Sequence, residues 1–155
     1  MKPMIYIAAN GQEPSYVPML SEHYKILHPG FTYEGENFAD FAIIKNPIEQ
    51  AFSADFYGIG KADVLIYDVD TNPGNHFIAW AFSLGKPVIA VSQCLDSPGP
   101  YWGLAITSLI KPDQVFNCLK YTCEELERKR QAEIERNQKI IEERSTKEPL
   151  QPKVP

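Results

Sequence analysis

Short runs of apolar residues recur along the first two thirds of the chain, with polar segments of helix length between them. Residues 4–9 form the first run, and residues 64–69 and 87–91 form two more. Apolar runs of this length, bounded by turn residues, are typical of buried strands. The segment between the second and third runs has the length of a helix, so residues 61–92 predict a parallel βαβ unit.

Helical spacing accounts for most of the remaining chain. Residues 13–27 predict a helix that buries five side chains on one face: Tyr16, Val17, Leu20, Tyr24 and Leu27. Residues 38–62 are mostly helical in pattern, and Pro47 indicates the first turn of a second helix. The expected buried stripe of that helix consists of Ile48, Ala51, Phe52, Phe56 and Ile59. Residues 31–33 and 115–119 are candidates for further short strands, whereas residues 101–110 have no decisive pattern.

The C-terminal part of the chain differs in composition from the rest. Thr122 and Glu125 fit a capping box, which predicts that a highly charged helix begins there. We therefore expect an α/β domain over residues 1–121, a charged helix over residues 122–145 and a disordered tail over residues 146–155. The tail contains three prolines.

Charge and cysteine content narrow the class of protein. A formal net charge of −5, with no basic stripe in the first hundred residues, argues against nucleic acid as a partner. The three cysteines have unrelated spacings, which predicts neither a disulfide framework nor a metal site. The N-terminal apolar run is too short for a signal peptide, and no run approaches bilayer length. We expect a cytoplasmic protein with no membrane partner.

Candidate ligand-binding residues cluster where the strand over residues 64–69 ends. In open α/β sheets, ligands bind at the carboxyl ends of the strands. That end carries Asp68, Asp70, Thr71, Asn72, Gly74, Asn75 and His76. The same residues also fit a purely structural role, because Asp, Thr and Asn cap helices and a histidine can bond to a loop. The alternation of side chains along the strand leaves the direction of Asp68 open.

Three passages together resemble one enzyme family. They are the first strand IYIAA, the passage Asp55-x-x-x-Ile59-x-x-Ala62-Asp63, and the helix end SLGKPV over residues 83–88. Over residues 4–120 their order and spacing are similar to those of the nucleoside 2-deoxyribosyltransferases. The resemblance implies a flavodoxin-like parallel sheet flanked by helices, and a homo-oligomer whose active sites borrow residues from a neighbouring subunit. In that family a glutamate attacks the anomeric carbon of a deoxynucleoside, and a second base or water resolves the glycosyl-enzyme.

The resemblance also implies roles for individual residues. Tyr6 falls at the first-strand tyrosine and, with Asn10, lines the expected pocket, while Asp55 falls at the aspartate that handles the proton of the leaving base. The position of the nucleophilic glutamate falls on Phe77, and no glutamate lies between Gln50 and Glu124.

Other family positions also differ. The second acidic position falls on Thr71, although the adjacent Asp70 can take its place. The position of an asparagine near Lys111 falls on Ser108.

Three functions stay open because phenylalanine is not a nucleophile. The chain is a transferase or hydrolase with a displaced nucleophile, a nucleoside-binding or regulatory protein without catalysis, or an enzyme of different chemistry that uses His76 as a base. The candidate catalytic residues are Asp55 and Asp70. The candidate substrate-binding residues are Tyr6, Asn10, Asp68, Thr71, Asn75, His76 and Phe77.

The expected ligand is a nucleoside or a free base. The loop over residues 9–12 is not a glycine-rich phosphate cradle, so a nucleoside is preferred over a nucleotide. We expect no cofactor and no metal.

Overall fold

A computed structural model describes residues 2–28, 47–99 and 102–147 of the chain. The strands are β1 (Met4–Ala8), β2 (Lys25–Leu27), β3 (Val64–Asp68), β4 (Val88–Val91) and β5 (Ser108–Ile110). The helices are α1 (Val17–Ser21), α2 (Pro47–Lys61), α3 (His76–Ser83) and α4 (Val115–Lys147), and a 3₁₀ turn (Pro112–Gln114) precedes α4. The strand predicted at residues 31–33, the helical pattern at 38–46 and residues 148–155 of the predicted tail lie outside the described residues. The predicted tail was wrong at residues 146 and 147, which are the last two residues of α4.

The five strands form one all-parallel sheet in the order β2-β1-β3-β4-β5. This order is that of flavodoxin-like folds, so the predicted fold class is confirmed. The chain passes outward from β1 to β2 and then adds β3, β4 and β5 on the other side of β1. The winding therefore reverses between β1 and β3, and the carboxyl ends of these two strands border the crevice at which such sheets bind ligands.

Side-chain alternation divides the core into two layers. On one face, Ile5 of β1 and Val64 and Ile66 of β3 pack with α1 and α4. On the other face, Tyr6 of β1 and Leu65 of β3 pack with α2 and α3. A strand residue at the carboxyl edge therefore belongs to one of two separate sides of the crevice, according to its position in the alternation.

The predicted helix over residues 13–27 was wrong at both ends, and α1 begins only at Val17. Helix α1 ends at Ser21, and Lys25–Leu27 form β2, the edge strand. The Lys25 amide donates to the Pro3 carbonyl (3.0 Å), and Leu27 pairs with Tyr6 in the ladder. The burial of Leu27 was predicted correctly, but its cause is strand pairing rather than a helix face.

The predicted strand over residues 115–119 was also wrong, because this segment is the first turn of α4. Val115, Leu119 and Thr122 are buried on one face of the helix, at positions i, i+4 and i+7. The Thr122 hydroxyl donates to the Cys118 carbonyl (2.8 Å) inside the helix, so Thr122 does not begin it. The last strand is instead β5, within a segment to which the sequence assigned no structure.

Helix α2 begins at Pro47, as predicted. Ile59 is buried, whereas Phe56 is 44% exposed, so the expected buried stripe was wrong at Phe56. The side chains of the other three stripe residues, Ile48, Ala51 and Phe52, lie outside what the structure describes. Among the described helices, none combines the length and apolar character that crossing a membrane requires.

Candidate functional site

The Tyr6 hydroxyl donates a hydrogen bond of 2.8 Å to Asp55 Oδ1, across 49 residues of sequence. Tyr6 lies in β1 with its side chain on the α2 and α3 face, and its ring is fully buried. Asp55 lies on α2 and is partly buried. The two residues that the family resemblance singled out in separate elements are therefore in direct contact.

Phe77 is part of an aromatic cluster that we define as Tyr6, His76, Phe77 and Trp80. Its ring centroid lies 5.9 Å from that of Tyr6 and 4.3 Å from that of His76, and the rings of His76 and Trp80 are 4.9 Å apart. Phe77 is only 3% exposed. At this position the chain therefore has a packed apolar side chain with no reactive atom.

Asp70 connects the loop after β3 to the end of β4. Its Oδ1 accepts a hydrogen bond from the Ser92 hydroxyl (3.2 Å), and its Oδ2 accepts one from the Gln93 amide (2.9 Å). The sequence analysis did not identify Ser92 or Gln93. The sequence could have indicated them as candidates, because ligands bind at the carboxyl ends of strands and both residues follow β4 at that edge.

Asp68 lies on the other side of the sheet from Tyr6. It follows Val64 and Ile66 in the alternation of β3, so its side chain belongs to the α1 and α4 face. Burial raises the pKa of its carboxyl group, and the charge of Asp70 raises it further, while hydrogen bonds from Thr71 and the Asp70 backbone oppose the shift. Only 7% of Asp68 is exposed.

Tyr16 of the same layer has a buried hydroxyl without a hydrogen-bond partner among the described residues. Burial raises the pKa of Tyr16, and the charges of Asp68 and Asp70 add to this shift. The phenol is therefore neutral at physiological pH.

Thr71 joins the two loops that border the crevice. Its Oγ1 accepts a hydrogen bond from the Asn10 backbone amide (3.0 Å) and donates one to the Asp68 carbonyl (3.3 Å). Asn10 follows β1 and Thr71 follows β3, so this contact spans the reversal point of the sheet. A hydrogen bond thus joins the loops after β1 and β3 at the centre of the carboxyl edge.

Asn75 and His76 begin α3. Asn75 is the N-cap residue but makes no side-chain capping bond, and its Oδ1 accepts a hydrogen bond from the Tyr67 hydroxyl (3.0 Å) instead. Burial raises the pKa of Tyr67.

The imidazole of His76 covers Gly74, where a Cβ atom would come within 2.6 Å of His76 Cε1. Gly74 also has a φ of +119°, so the turn requires glycine on both grounds.

No protein-family model matches the chain, and no curated protein matches its sequence. Among solved structures, the chain is similar to a 2-deoxyribosyltransferase from the psychrotolerant bacterium Bacillus psychrosaccharolyticus, described as a biocatalyst for the synthesis of antiviral and antitumoral nucleosides. The identity is 16%, the TM-score is 0.47, and the match covers 72% of this chain and 89% of that one. The fold assignment rests on the order and direction of the strands in this chain.

The predicted site residues occupy two sides of the crevice and the edge between them. On the α2 and α3 side lie Tyr6, Asp55, His76 and Phe77. On the α1 and α4 side lies Asp68, while Asn10, Asp70 and Thr71 occupy the connecting loops. Within the described ranges, no group of three or more His, Cys, Asp or Glu side chains is placed to hold a metal ion. The candidate residues offer hydrogen-bonding groups, an aromatic cluster and two carboxylates. The carboxylate of Asp55 is bonded to Tyr6, and that of Asp70 is bonded to Ser92 and Gln93.

Proposed function

We propose that this chain is a nucleoside 2-deoxyribosyltransferase-like protein that binds the base and the N-glycosidic region of a 2'-deoxynucleoside in the crevice between β1 and β3. The hydrogen bond between Tyr6 and Asp55 carries this proposal. It joins a strand residue and a helix residue that the family resemblance selected independently. The flavodoxin-like strand order agrees with the fold that the resemblance implies.

Asp55 is the proposed contact for the base. A carboxylate has two oxygens with about four acceptor sites, so Asp55 can accept from Tyr6 and from a ring or exocyclic N–H of a base at the same time. The Tyr6 hydroxyl orients the carboxylate through its 2.8 Å bond. His76, which is partly exposed at the start of α3, is the member of the aromatic cluster proposed to pack against the base.

The sugar is proposed to lie along the polar edge that Asn10, Asp70 and Thr71 form. Amide, hydroxyl and carboxylate groups suit sugar hydroxyls, which both donate and accept hydrogen bonds. Both oxygens of Asp70 already accept one hydrogen bond each, which holds the carboxylate in a fixed orientation. Such an edge is suited to recognition without large side-chain rearrangement.

The geometry favours a protein that binds a nucleoside without catalysing its cleavage. Phe77 is buried in the aromatic cluster at the position where the family has its nucleophile. Asp68 lies on the opposite face of the sheet from Tyr6 and Asp55, away from the aromatic cluster.

A second candidate function is glycosyl transfer or N-glycoside hydrolysis with Asp70 as the nucleophile. One observation favours it, namely that Asp70 is exposed at the crevice edge and is held by Ser92 and Gln93. In this case the carboxylate forms a bond to the anomeric carbon as the bond to the base breaks, and Asp55 protonates the departing base.

One pair of assays distinguishes the two functions. The protein is incubated with 2'-deoxynucleosides and a free acceptor base, and base release and exchange are followed by chromatography. Thermal stabilisation by the same nucleosides is measured in parallel. Saturable stabilisation without exchange supports binding, and exchange that disappears in Asp70→Ala supports transfer. The absence of both would contradict the nucleoside assignment.

A further inference from the structure

A cavity lies at the carboxyl edge of the sheet, on the α1 and α4 side. It has a volume of ≈ 520 Å³, which suits a small-molecule ligand. The start of α1, the end of β4 and the turn before α4 contribute to its lining, which includes Tyr16, Met19, Gln93, Lys111, Pro112 and Asp113. Tyr16 packs in the core layer of α1 and α4, so the sheet separates this cavity from Tyr6 and the aromatic cluster.

The Tyr16 hydroxyl is a buried polar group in the wall of this cavity. Tyr16 is 6% exposed, and its hydroxyl has no hydrogen-bond partner among the described residues. Buried polar groups in folded proteins nearly always have a partner, because an unpaired one has lost its hydration without compensation. A ligand that supplies this partner accounts for a hydroxyl at this position.

Negative charge accumulates beside Tyr16. The amide of Gln93, a lining residue, donates to Asp70 Oδ2, so the Asp70 carboxylate lies directly behind the wall of the cavity. Burial raises the pKa of Tyr16 and of Asp68, and the charge of Asp70 raises both further. No described basic side chain opposes this effect at either group. A positively charged group of a ligand is therefore favoured at this end of the cavity.

A lysine and apolar surface complete the lining. Lys111 is exposed on the turn before α4, and it forms no ion pair with any described carboxylate, that of Asp113 included. Its ammonium group is suited to a carboxylate of a ligand. Met19, which is 45% exposed, and Pro112 add apolar surface to the same cavity.

We propose that this cavity binds a zwitterion of the class of the free α-amino acids. The ammonium group of the ligand donates to the Tyr16 oxygen and pairs with Asp70, and the carboxylate of the ligand pairs with Lys111. Met19 and Pro112 contact the ligand side chain. An amine lacks the group that Lys111 binds, and a carboxylic acid is repelled by Asp70, so the ligand needs both charges. Asp70 also borders the proposed nucleoside crevice, and none of the tests below alters it.

Binding of free amino acids tests the ligand class. The full chain is screened with the common L-amino acids by thermal unfolding, and at least one should give saturable stabilisation. For the strongest ligand, calorimetric titration should show one site per chain. The matching amine without the carboxylate and the matching acid without the amino group should each bind at least about tenfold more weakly. No stabilisation by any amino acid, or an analogue that binds within about tenfold of the amino acid, would overturn the proposal.

Lys111→Gln tests the partner of the carboxylate. The variant should bind the amino acid at least about fivefold more weakly, because a charged partner becomes a neutral one. Lys120→Gln removes the same charge at an exposed position of α4 outside the cavity and should bind like the parent. Equal affinities of the two variants would contradict the placement of the carboxylate at Lys111.

Tyr16→Phe tests the buried hydroxyl. Urea unfolding should show a variant at least as stable as the parent, because no hydrogen bond to a described residue is lost. The same variant should bind the amino acid at least about fivefold more weakly. Tyr121→Phe, at a 60% exposed tyrosine of α4, should match the parent in both measurements. A less stable Tyr16→Phe, or one that binds the amino acid like the parent, would contradict a hydroxyl that serves the ligand.

Asp55→Asn separates this proposal from the nucleoside proposal. Asp55 is bonded to Tyr6 on the other face of the sheet, so the variant should bind the amino acid like the parent. Lys111→Gln should in turn keep the affinity of the parent for a nucleoside. Amino-acid binding by a chain that binds no nucleoside would support this proposal and contradict the other. Loss of amino-acid binding in Asp55→Asn would contradict a site on the α1 side.

Discussion

The Tyr6 hydroxyl and the Asp55 carboxylate form a 2.8 Å hydrogen bond that connects the first strand to the helix before β3. The bond fixes the orientation of a partly buried carboxylate at one wall of the crevice. Tyr6 is itself fully buried, so the donor has little freedom to move away. We propose that this pair is the recognition element for a base.

Tyr6→Phe should lower the free energy of unfolding by about 1–3 kcal/mol. The substitution keeps the ring and removes a hydrogen bond to a charged group, which leaves Asp55 with one donor fewer. Urea unfolding measures the effect. Tyr121→Phe is the matched control, because Tyr121 is 60% exposed on α4 and the same atom is removed. Equal effects of the two substitutions would show that the bond to Asp55 contributes nothing measurable.

Asp68→Asn should change the pH dependence of stability. The folded-state pKa of Asp68 is raised, so the folded protein holds this proton more tightly than the unfolded chain does. The stability associated with the protonated carboxyl is complete below the ordinary pKa of an aspartate and is lost as pH rises through the folded-state value. Asparagine stays neutral, so the variant should gain stability relative to the parent as pH rises over that window.

Thermal unfolding of both proteins from acid to neutral pH measures the Asp68 effect. Asp113→Asn, at an exposed aspartate, is the control for the loss of a carboxylate. A difference between Asp68→Asn and the parent that stays constant with pH would show that Asp68 does not hold its proton more tightly in the fold.

Asp70 and Ser92 should be energetically coupled. Asp70→Ala removes acceptors for the Ser92 hydroxyl and the Gln93 amide, and Ser92→Ala removes one of those donors. In a double-mutant cycle measured by urea unfolding, we expect a coupling energy of about 0.5–1.5 kcal/mol. Additive effects, with a coupling energy near zero, would mean that the 3.2 Å contact does not hold Asp70 in place.

Phe77→Glu should destabilise the fold rather than restore a nucleophile. Phe77 is packed between Tyr6 and His76, so the substitution removes aromatic packing and buries a carboxyl group, with an expected cost of at least about 3 kcal/mol. Phe82→Glu makes the same chemical change at a position that is 60% exposed and should cost less than about 1 kcal/mol. Comparable losses, or a gain of deoxyribosyl transfer in Phe77→Glu, would show that the site admits an acid.

The central strands were predictable because each is a short apolar run with turn residues on both sides. The edge strand β2 was not, because Tyr24 and Leu27 also fit the spacing of the preceding helix, and its pairing with β1 is a long-range contact. The start of α4 was missed for a related reason. Val115 and Leu119 have helical spacing, but a five-residue segment shows too little of the period to exclude a strand.

The elements that carry the candidate residues were predictable from the sequence, but the contacts between these residues were not. The preference of ligands for the carboxyl ends of strands selected Asp68 and Asp70 as candidates, and the family resemblance selected Tyr6 and Asp55. Which face Asp68 occupies follows only from the register of β3 in the sheet. The contact between Asp70 and Ser92 joins loops after two strands, and local sequence patterns carry no information on such a contact.

Calorimetric titration of 2'-deoxynucleosides into the parent chain and Asp55→Asn tests the proposed base contact most directly. The parent chain should bind at least one nucleoside with one site per chain. Asp55→Asn should weaken that affinity about tenfold or more, because a charge-assisted hydrogen bond is replaced by a neutral one. Asp113→Asn should bind like the parent. Absence of binding to the parent chain, or equal affinity of the parent and Asp55→Asn, would contradict recognition of a base by the Tyr6–Asp55 pair.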